Sequence, residues 1–145
     1  MCQRILSLLP PSTEAAVRAY WLRNLAIRLA GLGHPAKALP VTGEAATMYR
    51  ELAAASPDRY RPDLARSLSN LGVRFSQLGR LAEALPVEQE AVAIRRELAA
   101  ANPDRCRPDL AASLDNLGIS FSELGRLAEA GAAHDEAMKT RAHTD

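Results

Sequence analysis

Three asparagines, Asn24, Asn70 and Asn116, recur 46 residues apart, each followed by leucine. An amide side chain both donates and accepts hydrogen bonds, so a row of them could hold a peptide backbone without reading its sequence. The same groups could instead tie one helix to its neighbour, and residue type alone leaves both roles open. The residues that could do covalent chemistry are not arranged for it. His34, His134 and His143 show no HExxH spacing and no cysteine or carboxylate partners at ligand intervals. Gly31-Leu32-Gly33 followed by Lys37 lacks the Gly-Lys-Ser/Thr ending of a phosphate loop, and no strand pattern precedes it. Cys2 and Cys106 are too few and too far apart for a disulfide framework or a CxxC metal site. Cys106 stands where Tyr60 stands one period earlier, which suits a small buried apolar residue. These patterns predict no catalytic residue, no metal and no cofactor.

Composition narrows the partners. The 145 residues carry 18 basic and 17 acidic side chains, a formal net charge of +1. They are interspersed, so no single-sign field favours nucleic acid or an anionic membrane. Charged runs such as Arg95-Arg96-Glu97 read as a solvated helix face with weak ion pairs. The opening MCQRILSLLPPS has one arginine and an apolar run of about five residues, short of the ~7 to 15 of a signal peptide and of any membrane span. A cytoplasmic protein of one domain is expected. Sixteen of the 18 cations are arginine and alanine is abundant, a bias of GC-rich bacterial coding sequence.

The elements that would carry the asparagines repeat with them. Residues 24–69 and 70–115 are identical at 28 of 46 positions, and residues 70–99 and 116–145 at 15 of 30. Leu64, Leu68, Leu71, Phe75 and Leu78 recur at spacings of three and four, the stripe of one helix. Gly79 punctuates, and Ala84, Val87, Ala91, Ile94 and Leu98 mark a second helix. The chain divides into a helix end at 1–10 and repeats at 11–56, 57–102 and 103–145. Asn102 and Pro103 are expected to stop and cap, and Pro108 to occupy the first turn of the next helix. Pro40 and Pro86 fall near the start of continuous second helices, which should bend or loosen there and run straight at Ala132. Gly72, Ala84 and Ala91, with Ala26, Ala38, Ala45 and Gly118, Ala130, Ala137, are small enough for close helix approach.

The pattern of leucine, glycine, three residues, an aromatic or leucine, then two alanines seven apart resembles the tetratricopeptide repeat. The 46-residue unit exceeds the usual 34. Pro40 and Pro86, the segments Arg61-Pro62-Asp63-Leu64-Ala65 and Arg107-Pro108-Asp109-Leu110-Ala111, and the Asn-Leu pairs are similar to the longer repeats of kinesin light chains and their bacterial relatives. About four further residues near AAANPD should lengthen the second helix. The resemblance implies an all-α, right-handed solenoid of about three helical hairpins and a non-catalytic module that binds a peptide or protein segment on its inner face. Carried onto this chain, that face would hold Tyr20, Arg23, Asn24 and Ile27; then Arg66, Ser69, Asn70, Val73 and Gln77; then Ala112, Asp115, Asn116, Ile119 and Glu123.

The two ends differ. At the C-terminal end Gly131, Ala133, Thr140 and Thr144 replace Leu85, Val87, Ile94 and Leu98, as where stacking stops. At the N-terminal end Ile5, Leu6, Leu8, Leu9, Tyr20 and Trp21 are larger and more apolar than equivalents such as Glu51, Ala55, Arg66 and Ser67. Three readings follow: the first helix end covers Trp21; the chain self-associates there, most simply as a homodimer; or it is part of a larger array, such as the sensing arm of a bacterial signalling protein.

Overall fold

The computed structural model describes residues 11–142, and side chains from 13 onward. Cys2, Ile5, Leu6, Leu8, Leu9, His143 and Thr144 lie outside the described residues. Six helices form: α1 Pro11–Gly31, α2 Pro35–Ala55, α3 Pro57–Gln77, α4 Leu81–Ala101, α5 Pro103–Glu123 and α6 Leu127–Ala142. There is no strand among the described residues, so the chain is all-α as expected.

The boundaries follow from local chemistry. Proline opens four of the helices, where its fixed φ suits the first turn and no N–H is missed. Between α1 and α2, α3 and α4, and α5 and α6 the chain reverses through Gly33, Gly79 and Gly125, whose φ values are +83°, +73° and +76°. The N–H groups of His34, Arg80 and Arg126 then donate back to the carbonyls of Leu29, Phe75 and Phe121 at 2.9, 2.8 and 2.8 Å. Such left-handed closures satisfy carbonyls that a helix end leaves bare, and glycine adopts them without strain.

Two expectations at the other junction are corrected. The Asn102 side chain makes no capping hydrogen bond, and α5 begins at Pro103, so Pro108 is its sixth residue rather than part of its first turn. Pro103-Asp104 and Pro108-Asp109 carry the same start signal, proline at the first position and a carboxylate near the positive end of the helix dipole, and the helix takes the earlier of the two. Cys106 N–H already donates to Asn102 carbonyl at 3.1 Å. The residues around AAANPD therefore lengthen the first helix of the hairpin as well as the second. The helices run on through Pro40, Pro62, Pro86 and Pro108. Each is the sixth residue of its helix, where only one early hydrogen bond is forfeited.

The chain divides into two compact units, Met1–Ser67 and Leu68–Asp145, with the boundary inside α3. In the first unit α1 packs on α2. Ala19, Ala26, Ala38, Ala45 and Ala46 are buried there with Tyr49, Leu52, Tyr60 and Leu64. In the second, α5 packs on α4 and α6. Leu85, Val92, Leu110, Leu114, Leu117 and Phe121 form its apolar core, with Ala99, Ala130 and Ala137 at the close contacts and Cys106 against its edge.

Candidate functional site

Within each hairpin one residue of the first helix meets the residue 26 positions later in the second, and the three meetings use different chemistry. Arg23 is 8% exposed, lies 5.8 Å from the Tyr49 ring and 5.5 Å from that of Tyr20, and donates to Asp63 at 3.0 Å. Burial pushes the Tyr49 phenol up, against the opposing charge of Arg23. The Ser69 hydroxyl accepts from Arg95 at 3.0 Å and shares a 3.3 Å contact with Ser113. Arg95 also donates to the Ser113 hydroxyl and, at 3.3 Å, to the Asp109 carbonyl. Asp115 accepts from Arg141 and lies 3.6 Å from His134 Nδ1; Arg141 foremost, then His134, holds its carboxyl below the ordinary value.

Arg23, Ser69 and Asp115, expected on a binding face, are thus committed within the fold. Arg95 is half-buried in hydrogen bonds rather than on a solvated face. Asn24 is half-buried, while Tyr20, Ile27 and Arg66 are exposed.

Four expected residues converge in the second unit. Val73 and Gln77 of α3 and Asn116 and Ile119 of α5, with Ser76, Ser120 and Glu88 of α4, line an open cleft of about 240 Å³. Asn70 lies three and seven residues before Val73 and Gln77, and so shares their helix face. Asn70 and Asn116 are half-buried, and neither amide has a hydrogen-bond partner among the described residues. The Gln77 side-chain oxygen accepts from Arg74 at 2.8 Å. A second hollow, lined by Gln89, Leu117 and Glu136 among others, contains none of the expected groove residues and is flanked by the Arg96–Glu136 ion pair at 2.6 Å.

Glu88 is not among the expected groove residues. It is 4% exposed, yet its Oε2 has no hydrogen-bond partner, and neither does the buried Ser76 Oγ. Burial raises its pKa to about 7; a hydrogen bond from Ser120 opposes the rise and the charge of Glu123 adds to it. A signal for this group is present in the repeat. Positions 42, 88 and 134 read Thr, Glu, His, while their partners 26, 72 and 118 read Ala, Gly, Gly. A methyl group at Gly72 would lie 2.5 Å from Glu88 Cγ, and one at Gly118 would lie 2.8 Å from the His134 ring. These glycines make room for larger polar partners. Small size for helix approach is only part of their role. At the equivalent place of the first unit, Thr42 is satisfied by the Ala38 carbonyl at 2.8 Å.

Among the described residues no three His, Cys, Asp or Glu side chains gather as metal ligands, and no helix is long and apolar enough to cross a membrane. Comparison with known proteins agrees with the hairpin architecture. A family model described as tetratricopeptide repeat matches residues 64–104 and 110–144. No curated protein matches the sequence. Among solved structures, BtubC (BKLC) from P. vanneervenii is similar at TM-score 0.75 and 26% identity over 86% of this chain and 47% of that one. The chain thus spans about half the length of that protein, which is kinesin-light-chain-like. The TPR domain of Arabidopsis FLU is similar in fold at TM-score 0.71 and 19% identity, over 90% of this chain and 99% of that domain. An all-α solenoid of helical repeats, carrying the tetratricopeptide signature over more than half its length, the chain belongs to the tetratricopeptide-repeat family.

Proposed function

We propose that this protein is a non-catalytic interaction module that holds a peptide or protein segment in the cleft of its second unit, along the face of Asn70, Val73, Gln77, Asn116 and Ile119. Tetratricopeptide repeats are in general protein–protein interaction modules. The observation that carries the reading here is the pair of unpartnered amides, Asn70 and Asn116, beside the apolar Val73 and half-exposed Ile119. Amides free of internal partners are available to a peptide backbone, and apolar neighbours give a side chain something to cover. A near-neutral chain favours such an occupant over nucleic acid or a membrane. The test is selection of twelve-residue peptides on the purified chain, followed by titration against Asn70→Ala/Asn116→Ala. Loss of two backbone hydrogen bonds should weaken the selected peptide by roughly five- to thirtyfold. An unchanged affinity would mean that the asparagines serve the fold alone.

A second reading is self-association through the N-terminal end, since Trp21 is 63% exposed and stacks edge-on against the exposed Tyr20 at 5.7 Å. Light scattering over a wide concentration range decides it. A doubling of the 15.6 kDa mass that Trp21→Arg abolishes would support a homodimer, and a strict monomer would remove it.

A further inference from the structure

We propose that the cleft bounded by α3, α4 and α5 receives a basic side chain, lysine or arginine, of the bound peptide, with the Glu88 carboxylate as its counter-ion. The inference rests on the groove reading above and names the chemistry of the partner. It starts from a carboxylate that Ser120 hydrogen-bonds but whose Oε2 has no donor. Glu88 is almost wholly buried, its Oε2 is unpartnered, and it lines a cleft that is open to solvent. A buried acceptor left unsatisfied is costly, so a donor that reached Oε2 by way of the cleft would gain most there.

The neighbours select which donor. Glu123 of α5 is close enough to couple electrostatically to Glu88, and no cation does. The residues that line the cleft from α3, Val73, Ser76 and Gln77, and from α5, Asn116, Ile119 and Ser120, carry no charge. Arg74 is occupied with the Gln77 oxygen and has no electrostatic coupling to Glu88. The field in the cleft is therefore negative, and a cation that enters it relieves both the missing hydrogen bond and the missing counter-charge. The walls suit the stem that carries such a head: Val73 and Ile119 can cover the methylenes of lysine or arginine while the charged end reaches inward. Ser76, whose buried Oγ is also unpartnered, lines the same cleft.

The equivalent places argue that this is a property of Glu88 and not of the repeat. Thr42 is satisfied by its own helix, and His134 lies 3.6 Å from Asp115. Only the middle position combines a carboxylate, a cleft and a glycine opposite that leaves it space.

The experiment uses the full chain and the peptides selected at pH 8, each resynthesised with its basic residues changed singly to glutamine. The expected result is a lysine or arginine common to the selected peptides. Replacing it, or making Glu88→Gln in the protein, weakens binding roughly tenfold or more, and the two changes together cost little more than either alone. The wild-type chain should bind several times more tightly at pH 8 than at pH 6, because the cation needs an ionised partner, and Glu88→Gln should abolish that difference. Circular dichroism verifies that the variant folds, and Glu88→Thr, which copies the residue at 42, is the second variant. Peptides that depend on Asn70 and Asn116 but carry no shared basic residue, or that ignore Glu88→Gln, would overturn the inference and leave the groove reading intact. A chain that selects no peptide at all would overturn both.

Discussion

Glu88 carries its carboxylate where water is scarce. Its pKa stands at about 7 against 4.5 for an ordinary glutamate, raised chiefly by burial. The folded protein therefore binds this proton more tightly than the unfolded chain does. Stability is unaffected below pH 4.5, falls as pH rises between about 4.5 and 7, and stays reduced above. Asp115 works the other way and elsewhere. Its carboxyl is held below the ordinary 3.8, chiefly by Arg141, so its contribution is lost only on acidification below that value. We expect Glu88→Gln to stabilise the protein by about 1 to 2 kcal/mol at pH 8 and to change it by less than ~0.5 kcal/mol at pH 5. Urea denaturation at the two pH values measures this, and an equal gap at both would show that the pKa of Glu88 is the same in the folded and unfolded chain, so that burial does not raise it.

Between elements, the spacing of α3 and α4 at this site is set by the match of Gly72 to Glu88. A methyl at Gly72 would meet Glu88 Cγ at 2.5 Å, so Gly72→Ala must push α4 or twist Glu88 off its rotamer. Overpacking of this kind costs about 1 to 3 kcal/mol. In a Glu88→Ala background the clash is absent, and alanine should then be favoured over glycine by up to ~1 kcal/mol in the middle of a helix. A double-mutant cycle on thermal stability should thus show the sign of the Gly72→Ala effect reverse; additive effects would place the strain somewhere other than this pair. The pairing also shows what was legible in the sequence. Periods of three and four residues and the recurring glycines identify the hairpins because backbone geometry enforces both. The start of α5 is ambiguous in the sequence because Pro103-Asp104 and Pro108-Asp109 carry the same start signal, and only the structure shows that the earlier one is used. Arg95 looked solvated because charge alone does not reveal that Ser69 and Ser113 wait beside it. Glu88 escaped notice for the same reason, although the alternation Ala, Gly, Gly against Thr, Glu, His had recorded its size.

For the molecule as a whole, the fold class was legible and the chemistry of the partner was not, because repetition specifies architecture while binding depends on where the repeats differ. The charge balance bears on that partner in a testable way. With 18 basic and 17 acidic side chains interspersed, the chain has little long-range field to gather a cationic peptide from a distance. Attraction then resides in the short-range contact at Glu88. Salt distinguishes the two cases, since the screening length falls from ~10 Å at 0.1 M to ~3 Å at 1 M, while an ion pair in hydrogen-bond contact inside a walled cleft is screened much less. We therefore expect the affinity of a lysine-bearing peptide to fall no more than about threefold to fivefold between 50 and 500 mM NaCl, with the change mainly in its dissociation rate. Glu88→Gln should lower the affinity at every salt concentration by a similar factor. Fluorescence titration of one labelled peptide across that range supplies the measurement. A hundredfold loss with salt, undiminished by Glu88→Gln, would assign capture to diffuse surface charge instead of the cleft.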